Sequence, residues 1–178
     1  MSEEDPWTVL AETALTAIEQ ADLNERNFGL AELCDEVPAL AENCGTERLK
    51  TILVATGCRC AKELVATWIR VCPDDDAPLV ALEAVRAWLE EPTQERAERS
   101  ADLSRAALRS FAITKGTDRR PSWPAHAWFA RTCAWLADAP RYGWQAVPAL
   151  LGLTKAGMRA ELVSELAAQL REPRDRNG

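Results

Sequence analysis

Residues 46–72 carry apolar side chains at helical spacing over more than half of a helix circumference. The first apolar row is Leu49, Leu53, Cys60, Leu64 and Trp68, and the second is Val54, Cys58, Ala61, Val65, Ile69 and Cys72. A helix that is apolar over so much of its surface must be covered on several sides. We therefore expect an all-helical (all-α) irregular bundle built around this segment, with Thr46 as its N-cap.

The remainder of the chain also favours helices, because Ala, Leu, Glu and Arg dominate and only eight of the 178 residues are glycine. No stretch alternates apolar and polar residues long enough to indicate a strand. The pattern predicts seven or eight helices in one domain over residues 1–172, followed by a frayed tail at 173–178. Residues 1–47 are expected either to pack on this domain or to be appended to it.

Capping residues predict where several of these helices begin. Asp5 followed by Pro6 starts a helix that reaches about Gln20, and one or two short helices follow within residues 22–46. Further starts are predicted at Asp76, Thr93, Ser122 and Thr154, with a short helix near residues 144–151. In the helix after Thr93, Leu108 and Phe111 are expected to face inward.

Charge is distributed unevenly along the chain, whose net charge is −7. Residues 1–47 contain twelve acidic residues and one basic residue, Arg26, whereas the rest of the chain is mildly basic. Such a segment favours a basic partner and opposes nucleic acid and anionic membranes. The acidic residues predicted to bind a partner are Glu12, Glu19, Asp22, Glu25, Glu32, Asp35 and Glu36. The alternative is that this segment packs on the basic body of its own chain.

Seven tryptophans are many for a chain of this length. Four of them fit the inward rows of predicted helices, whereas Trp7, Trp123 and Trp144 fall near helix starts or loops. Exposed tryptophan is frequent at binding hot spots, so these three are candidate partner-binding residues. Local packing over helix ends is the alternative.

No arrangement of residues indicates catalysis, a metal or a cofactor. Cys58 and Cys60 are two residues apart and point to nearly opposite sides of a helix, and no Cys-x-x-Cys pair is present. Cys133 lies seven residues after the only histidine, His126, which is about two helical turns and too far for direct contact between the two side chains. Glycine-rich phosphate-binding motifs are also missing. We therefore expect a non-enzymatic protein without cofactors, whose six cysteines are reduced and pack as small apolar residues.

Membrane and export signals are not indicated either. The best apolar run, Thr51–Thr56, is short and is followed by charged residues. The start Met1-Ser2-Glu3-Glu4-Asp5 is acidic, unlike a secretory signal or a transit peptide. A cytoplasmic location is the expectation.

One segment resembles a known group of proteins. The run Ala81-Leu82-Glu83-Ala84-Val85-Arg86-Ala87-Trp88-Leu89-Glu90-Glu91-Pro92-Thr93, together with the preceding helix around Cys58-Arg59-Cys60-Ala61, is similar to small all-helical bacterial immunity proteins and helical domains of unknown function. The resemblance covers about residues 50–140. It implies a helical fold and binding to toxins or secretion-system components, and it implies no catalytic residues.

Two functions follow as hypotheses. The first is a toxin-neutralising or adaptor protein of a bacterial conflict or secretion system that binds a basic partner through its acidic N-terminal surface. The second is a structural or assembly subunit, a homodimer for example, with an aromatic apolar interface. An enzyme of unrecognised type is a third, less favoured alternative.

Overall fold

The structure is a computed structural model that describes residues 5–24, 27–114 and 123–172. Within these residues it contains nine α-helices, one 3₁₀ helix and no β-strand, which confirms the predicted all-helical fold. The α-helices are α1 (Pro6–Leu23), α2 (Leu30–Glu36), α3 (Pro38–Cys44), α4 (Thr46–Val71), α5 (Ala77–Glu90), α6 (Gln94–Thr114), α7 (Ala125–Asp138), α8 (Ala146–Lys155) and α9 (Arg159–Arg171). The 3₁₀ helix, Gly143–Gln145, lies between α7 and α8.

Helix α4 has the central position predicted for it. It packs against α2, α3, α5, α7, α8 and α9, and most of its side chains between Leu49 and Ala61 are buried. Helix α7 is covered as fully, because α4, α5, α6 and α8 pack around it. One contiguous apolar core therefore extends from Ala11 in α1 to Leu170 in α9.

Two of the predicted caps are confirmed. The Asp5 carboxylate accepts hydrogen bonds from the backbone N–H of Thr8 at 3.1 Å and from its hydroxyl at 2.8 Å. The Thr93 hydroxyl oxygen accepts from the backbone N–H of Arg96 at 3.3 Å, just before α6 begins. These bonds satisfy N–H groups that a helix leaves unpaired in its first turn.

The other predicted starts differ in outcome. Asp76 immediately precedes α5 as expected, whereas Thr46 is not a cap and Thr154 does not begin a helix. Ser122 lies outside the described residues. Thr46 is the first residue of α4, and the N-cap is Gly45. Thr154 lies inside α8, where its hydroxyl donates to the Leu151 carbonyl at 2.8 Å. A threonine can satisfy its hydroxyl on the preceding turn as readily as it caps the next helix, so its identity alone does not fix a boundary.

The true end of α8 is a Schellman motif at Gly157. The backbone N–H of Met158 donates to the Leu153 carbonyl at 3.0 Å, and that of Gly157 donates to the Thr154 carbonyl at 3.0 Å. Gly157 has φ of 92°, a left-handed conformation that glycine adopts without steric cost. The motif reverses the chain so that α9 begins at Arg159.

Two residues predicted to face the core are exposed instead. Leu108 is 39 % exposed because α6 turns small side chains, including Ser104 and Ala107, toward α7 and leaves Leu108 at the rim of that contact. Ile69 is 49 % exposed, since in the last turns of α4 only Trp68 is fully buried.

Candidate interaction surface

Acidic residues of α1 are paired with basic residues of α8 and α9. An Asp22 carboxylate oxygen lies 3.1 Å from Lys155 Nζ, and a Glu19 carboxylate oxygen lies 3.3 Å from Arg159 Nε. Asp5 likewise pairs with Arg171 at 2.6 Å. In this part of the segment the alternative interpretation holds, because the acidic helix packs on basic residues of its own chain.

The other acidic residues of this segment that the structure describes are exposed. Glu32, Asp35 and Glu36 are exposed and share one face of α2, since they are three and four residues apart. Glu42 is exposed on α3, and residues 27–47 contain no basic residue. We call Glu32, Asp35, Glu36 and Glu42 the acidic surface. Glu12 is exposed on α1, and Glu25 lies outside the described residues.

Glu32 has a second role at the start of α2. One of its carboxylate oxygens accepts from the backbone N–H of Gly29 at 2.9 Å. Hydrogen bonds from the backbone N–H groups of Glu32 itself and of Gly29 lower the pKa of this carboxyl. Glu32 therefore holds the first turn of α2 in place while its side chain stays at the surface.

Trp144 is the most exposed tryptophan among the described residues, at 53 % of its surface. It lies in the 3₁₀ helix and packs against the chain at Gly29. A Cβ placed on Gly29 would be 3.0 Å from the Cβ of Trp144, so the two segments approach with no room for a side chain between them. The position of Trp144 is thus set by backbone contact, and its indole ring is left at the surface.

Two further residues extend this aromatic surface. Tyr142 is 43 % exposed, and the Arg141 guanidinium carbon lies 5.1 Å from the centre of its ring. We call Arg141, Tyr142 and Trp144 the aromatic turn. Tryptophan, tyrosine and arginine are the three residue types most enriched at binding hot spots.

A shallow groove joins the aromatic turn to the acidic surface. Its volume is about 500 Å³, and Trp144, Leu30 and Glu32 are among the residues that line it. Its exposed lining is mainly apolar, and Glu32 is the acidic residue in it. This arrangement suits an apolar side chain flanked by positive charge.

The other two tryptophans proposed as partner-binding residues are less available. Trp123 is half-buried, and its ring centre lies 4.7 Å from those of both Phe111 and Trp128. Trp7 is also half-buried and packs against the core. Both therefore have much of their ring surface engaged within the fold, as the packing alternative describes.

The six cysteines are all free thiols, and burial raises the pKa of most of them. Burial raises the pKa of Cys58 to about 11 and that of Cys60 to about 12, and it raises the pKa of fully buried Cys133 well above its ordinary value. With pKa values this high, these thiols stay protonated near neutral pH. Because the thiolate is the reactive form, they should react slowly. Burial also lowers the pKa of His126, which favours the neutral imidazole.

A larger groove of about 1070 Å³ lies where the start of α4 meets the turn between α5 and α6. Its charged groups already contact one another or the backbone, since Lys50 pairs with Glu47 at 2.7 Å and Arg48 donates to the Glu172 carbonyl.

Among the described residues, no group of three or more His, Cys, Asp or Glu side chains converges as a metal site would require. No helix of the described chain is long and apolar enough to cross a bilayer.

Family models, curated proteins and solved structures contain no match to this chain.

The sequence indicated Trp144 and the acidic surface, but it gave no indication of Arg141, Tyr142 or the contact at Gly29. Tyr142 and Arg141 follow Pro140 in a turn, where exposure cannot be judged from periodicity. The contact between Gly29 and Trp144 joins residues far apart in the chain, which local patterns do not report. The ion pairs of Glu19 and Asp22 are long-range for the same reason.

Proposed function

We propose that this chain is a non-catalytic protein-binding module, and that the aromatic turn and the acidic surface together form its binding face. The observation that carries the proposal is the 53 % exposure of Trp144 at a position fixed by close backbone contact. A tryptophan side chain has only two rotatable torsions, so it loses little conformational entropy when a partner covers it. The acidic surface next to it selects a partner with positive charge around an apolar anchor.

The resemblance of residues 50–140 to bacterial immunity proteins supports a toxin or a secretion-system component as that partner. Helix α2 lies outside this segment, as does Trp144. The helical body would then be the shared part, and the binding face would be particular to this chain. Charge complementarity at such a face speeds encounter and disfavours wrong partners.

Self-association through the same tryptophan is the second candidate, since Trp144 and Tyr142 expose apolar area. A symmetric dimer centred on Trp144 would bring two copies of the acidic surface close together. Like charges facing each other across an interface weaken it. The charge pattern therefore favours a different, basic partner.

Site-specific photo-crosslinking tests the proposal. A photoreactive phenylalanine analogue replaces Trp144 in one variant and Val80 in a control, because Val80 is also exposed, at 42 %, but lies on α5. Both variants are expressed in the native host cells and irradiated, and adducts are identified by mass spectrometry. We expect one predominant adduct at position 144 with a basic protein, and no such adduct at position 80.

The same experiment distinguishes the alternatives. An adduct of twice the chain mass at position 144 would show self-association, and equal adducts at positions 144 and 80 would show non-specific contact. Either result, or a predominant acidic partner, contradicts the proposal. Reversing Asp35, Glu36 and Glu42 to lysine should greatly reduce the adduct at position 144, and this variant keeps Glu32 at the start of α2.

A further inference from the structure

Helix α6 packs against α5 and α7 through its buried side chains, and its opposite side is exposed along its whole length. Six exposed residues on that side are spaced alternately three and four positions apart. This spacing places side chains in one line along a helix. We call these residues the α6 row: Glu95, Glu98, Asp102, Arg105, Arg109 and Ala112.

Charge along the α6 row changes sign at its middle, because its first three residues are acidic and the next two are basic. Two copies of α6 can lie antiparallel about a two-fold axis midway between Asp102 and Arg105. In that register Arg105 of each copy lies opposite Asp102 of the other, and Arg109 lies opposite Glu98. The two-fold axis repeats both contacts, which gives four ion pairs. A parallel pair in register would oppose like charges.

The charged side chains of this row are available to a second copy. Those of Asp102 and Arg109 form no ion pair or hydrogen bond with other described residues. Burial raises the pKa of the Asp138 carboxyl and the positive charge of Arg105 opposes this effect, but the two side chains form no ion pair within the described chain. One carboxylate oxygen of Glu98 accepts from Gln94 Nε2 at 2.8 Å, which leaves its other oxygen free.

Two apolar side chains flank the basic half of the row. Ile113 lies four residues after Arg109, and Leu108 lies four residues before Ala112, so both are beside the row. Ile113 is 77 % exposed, more than any other large apolar residue that the structure describes, and Leu108 is 39 % exposed. Exposed ion pairs contribute little to association, whereas covering these two side chains removes apolar surface from water.

We propose that this side of α6 joins two copies of the chain into an antiparallel, two-fold symmetric dimer. The charges of the α6 row set the register, and Leu108 and Ile113 supply the apolar contact. This dimer does not rest on the protein-binding function, because the proposed binding face is formed by other elements, α2, α3 and the aromatic turn.

Sedimentation velocity of the natural chain over a range of concentrations tests for the dimer. We expect a monomer–dimer equilibrium at low salt whose affinity falls at least about tenfold at about 1 M salt, where the Debye length is about 3 Å. A chain that stays monomeric at low salt up to millimolar concentrations overturns the proposal. A dimer that salt does not weaken also overturns it, since charge would then not set the register.

Charge exchange between the two halves of the row locates the interface. Glu98 and Asp102 become lysine in a basic variant, and Arg105 and Arg109 become glutamate in an acidic variant. We expect each variant alone to dimerise at least about tenfold more weakly than the natural chain, because like charges then face each other. An equimolar mixture should form a heterodimer, since all four ion pairs are restored. A mixture that associates no better than the separate variants overturns the proposal.

The matched control reverses Glu12 and Glu63, which are exposed on α1 and α4, to lysine. It changes the net charge as the basic variant does and should leave the dimer unchanged. Equal weakening by the control and the basic variant means that total charge governs association, which contradicts the proposal. Circular dichroism verifies folding. If a charge-exchange variant does not fold, Ile113→Ser tests the same surface at its most exposed position, and unchanged dimerisation of that variant overturns the proposal.

Discussion

Gly29 and Trp144 lie so close that a Cβ on the glycine would stand 3.0 Å from the Cβ of the tryptophan. The contact joins the start of α2, which carries the acidic surface, to the 3₁₀ helix, which carries the aromatic turn. This close approach is one of the contacts that place the two halves of the proposed binding face side by side.

Replacing Gly29 by alanine should disturb this arrangement. The added methyl group must displace the 3₁₀ helix or the start of α2, and overpacking of this kind costs about 1–3 kcal/mol of folding free energy. Binding of the partner identified by crosslinking should weaken as well, which surface plasmon resonance would measure. Gly157→Ala is the matched control, because its φ of 92° strains an alanine far from the face. Gly157→Ala should lose stability and keep its affinity for the partner. If Gly29→Ala binds the partner as tightly as Gly157→Ala does, the contact between Gly29 and Trp144 does not position the binding face.

Charge reversal should distinguish the acidic residues of α1, which pair with α8 and α9, from those of the acidic surface. Glu19→Lys puts a cation beside Arg159, so it should lower stability by about 1 kcal/mol or less and leave partner binding unchanged. Asp35, Glu36 and Glu42 changed together to lysine, with the capping residue Glu32 kept, should slow association with the partner about tenfold at low salt.

The control for this series is the triple reversal of Asp74, Glu90 and Asp102, which are exposed on other parts of the chain. It changes the net charge by the same amount and should affect association much less. If both triple variants slow association equally, the effect comes from total charge and the acidic surface has no special role.

The stability of the folded chain should depend on pH through the Asp5 carboxyl. The hydrogen bond from the Thr8 side chain lowers the pKa of this carboxyl below 3.8, and Arg171 contributes in the same direction. The pKa of Asp5 is lower in the folded chain than in the unfolded chain. Its ionised carboxylate therefore stabilises the fold above pH 3.8, and this stabilisation is lost as the pH falls through the folded-state pKa. Urea denaturation of Asp5→Ala should show a lower midpoint than the natural chain at pH 7. The two midpoints should converge once the pH is below the folded-state pKa of Asp5, and a difference that stays constant as the pH falls would contradict the assignment.

The thiols should react in an order set by burial. At pH 8, iodoacetamide should modify the partly exposed Cys34 and Cys72 first. Cys58 and Cys60 should react far more slowly, because burial raises their pKa to about 11 and about 12, and buried Cys133 should be slowest. Peptide mass spectrometry over time measures the order, with denatured protein as the control. Rapid modification of Cys58 or Cys60 in the folded protein would show that these residues are less enclosed than the structure indicates.

Helical periodicity predicted most of the architecture. The apolar rows of residues 46–72 predicted the central helix α4 to within one residue at its C-terminal end, and Asp5 and Thr93 marked the starts of α1 and α6. Apolar spacing works here because burial of one face is what selects the helix.

Boundaries and pairings were less predictable. Thr154 has the identity of a cap, yet the left-handed Gly157 three residues later ends α8, and only the backbone conformation distinguishes the two. The sequence also could not show which residues of the acidic segment pair with Lys155 and Arg159, because that depends on where these two residues lie relative to α1. Local sequence shows which residues carry charge, whereas the tertiary fold decides which charges remain on the surface.

The most direct test of the binding face is the dissociation rate of the crosslinked partner from Trp144→Ala, measured by surface plasmon resonance beside the natural chain. Trp144 is largely exposed, so the variant should fold normally, which circular dichroism would verify. If Trp144 is the anchor, its loss should cost at least about 2 kcal/mol, or roughly thirtyfold in affinity, mostly through faster dissociation. Unchanged dissociation from a folded Trp144→Ala variant would contradict the proposed face.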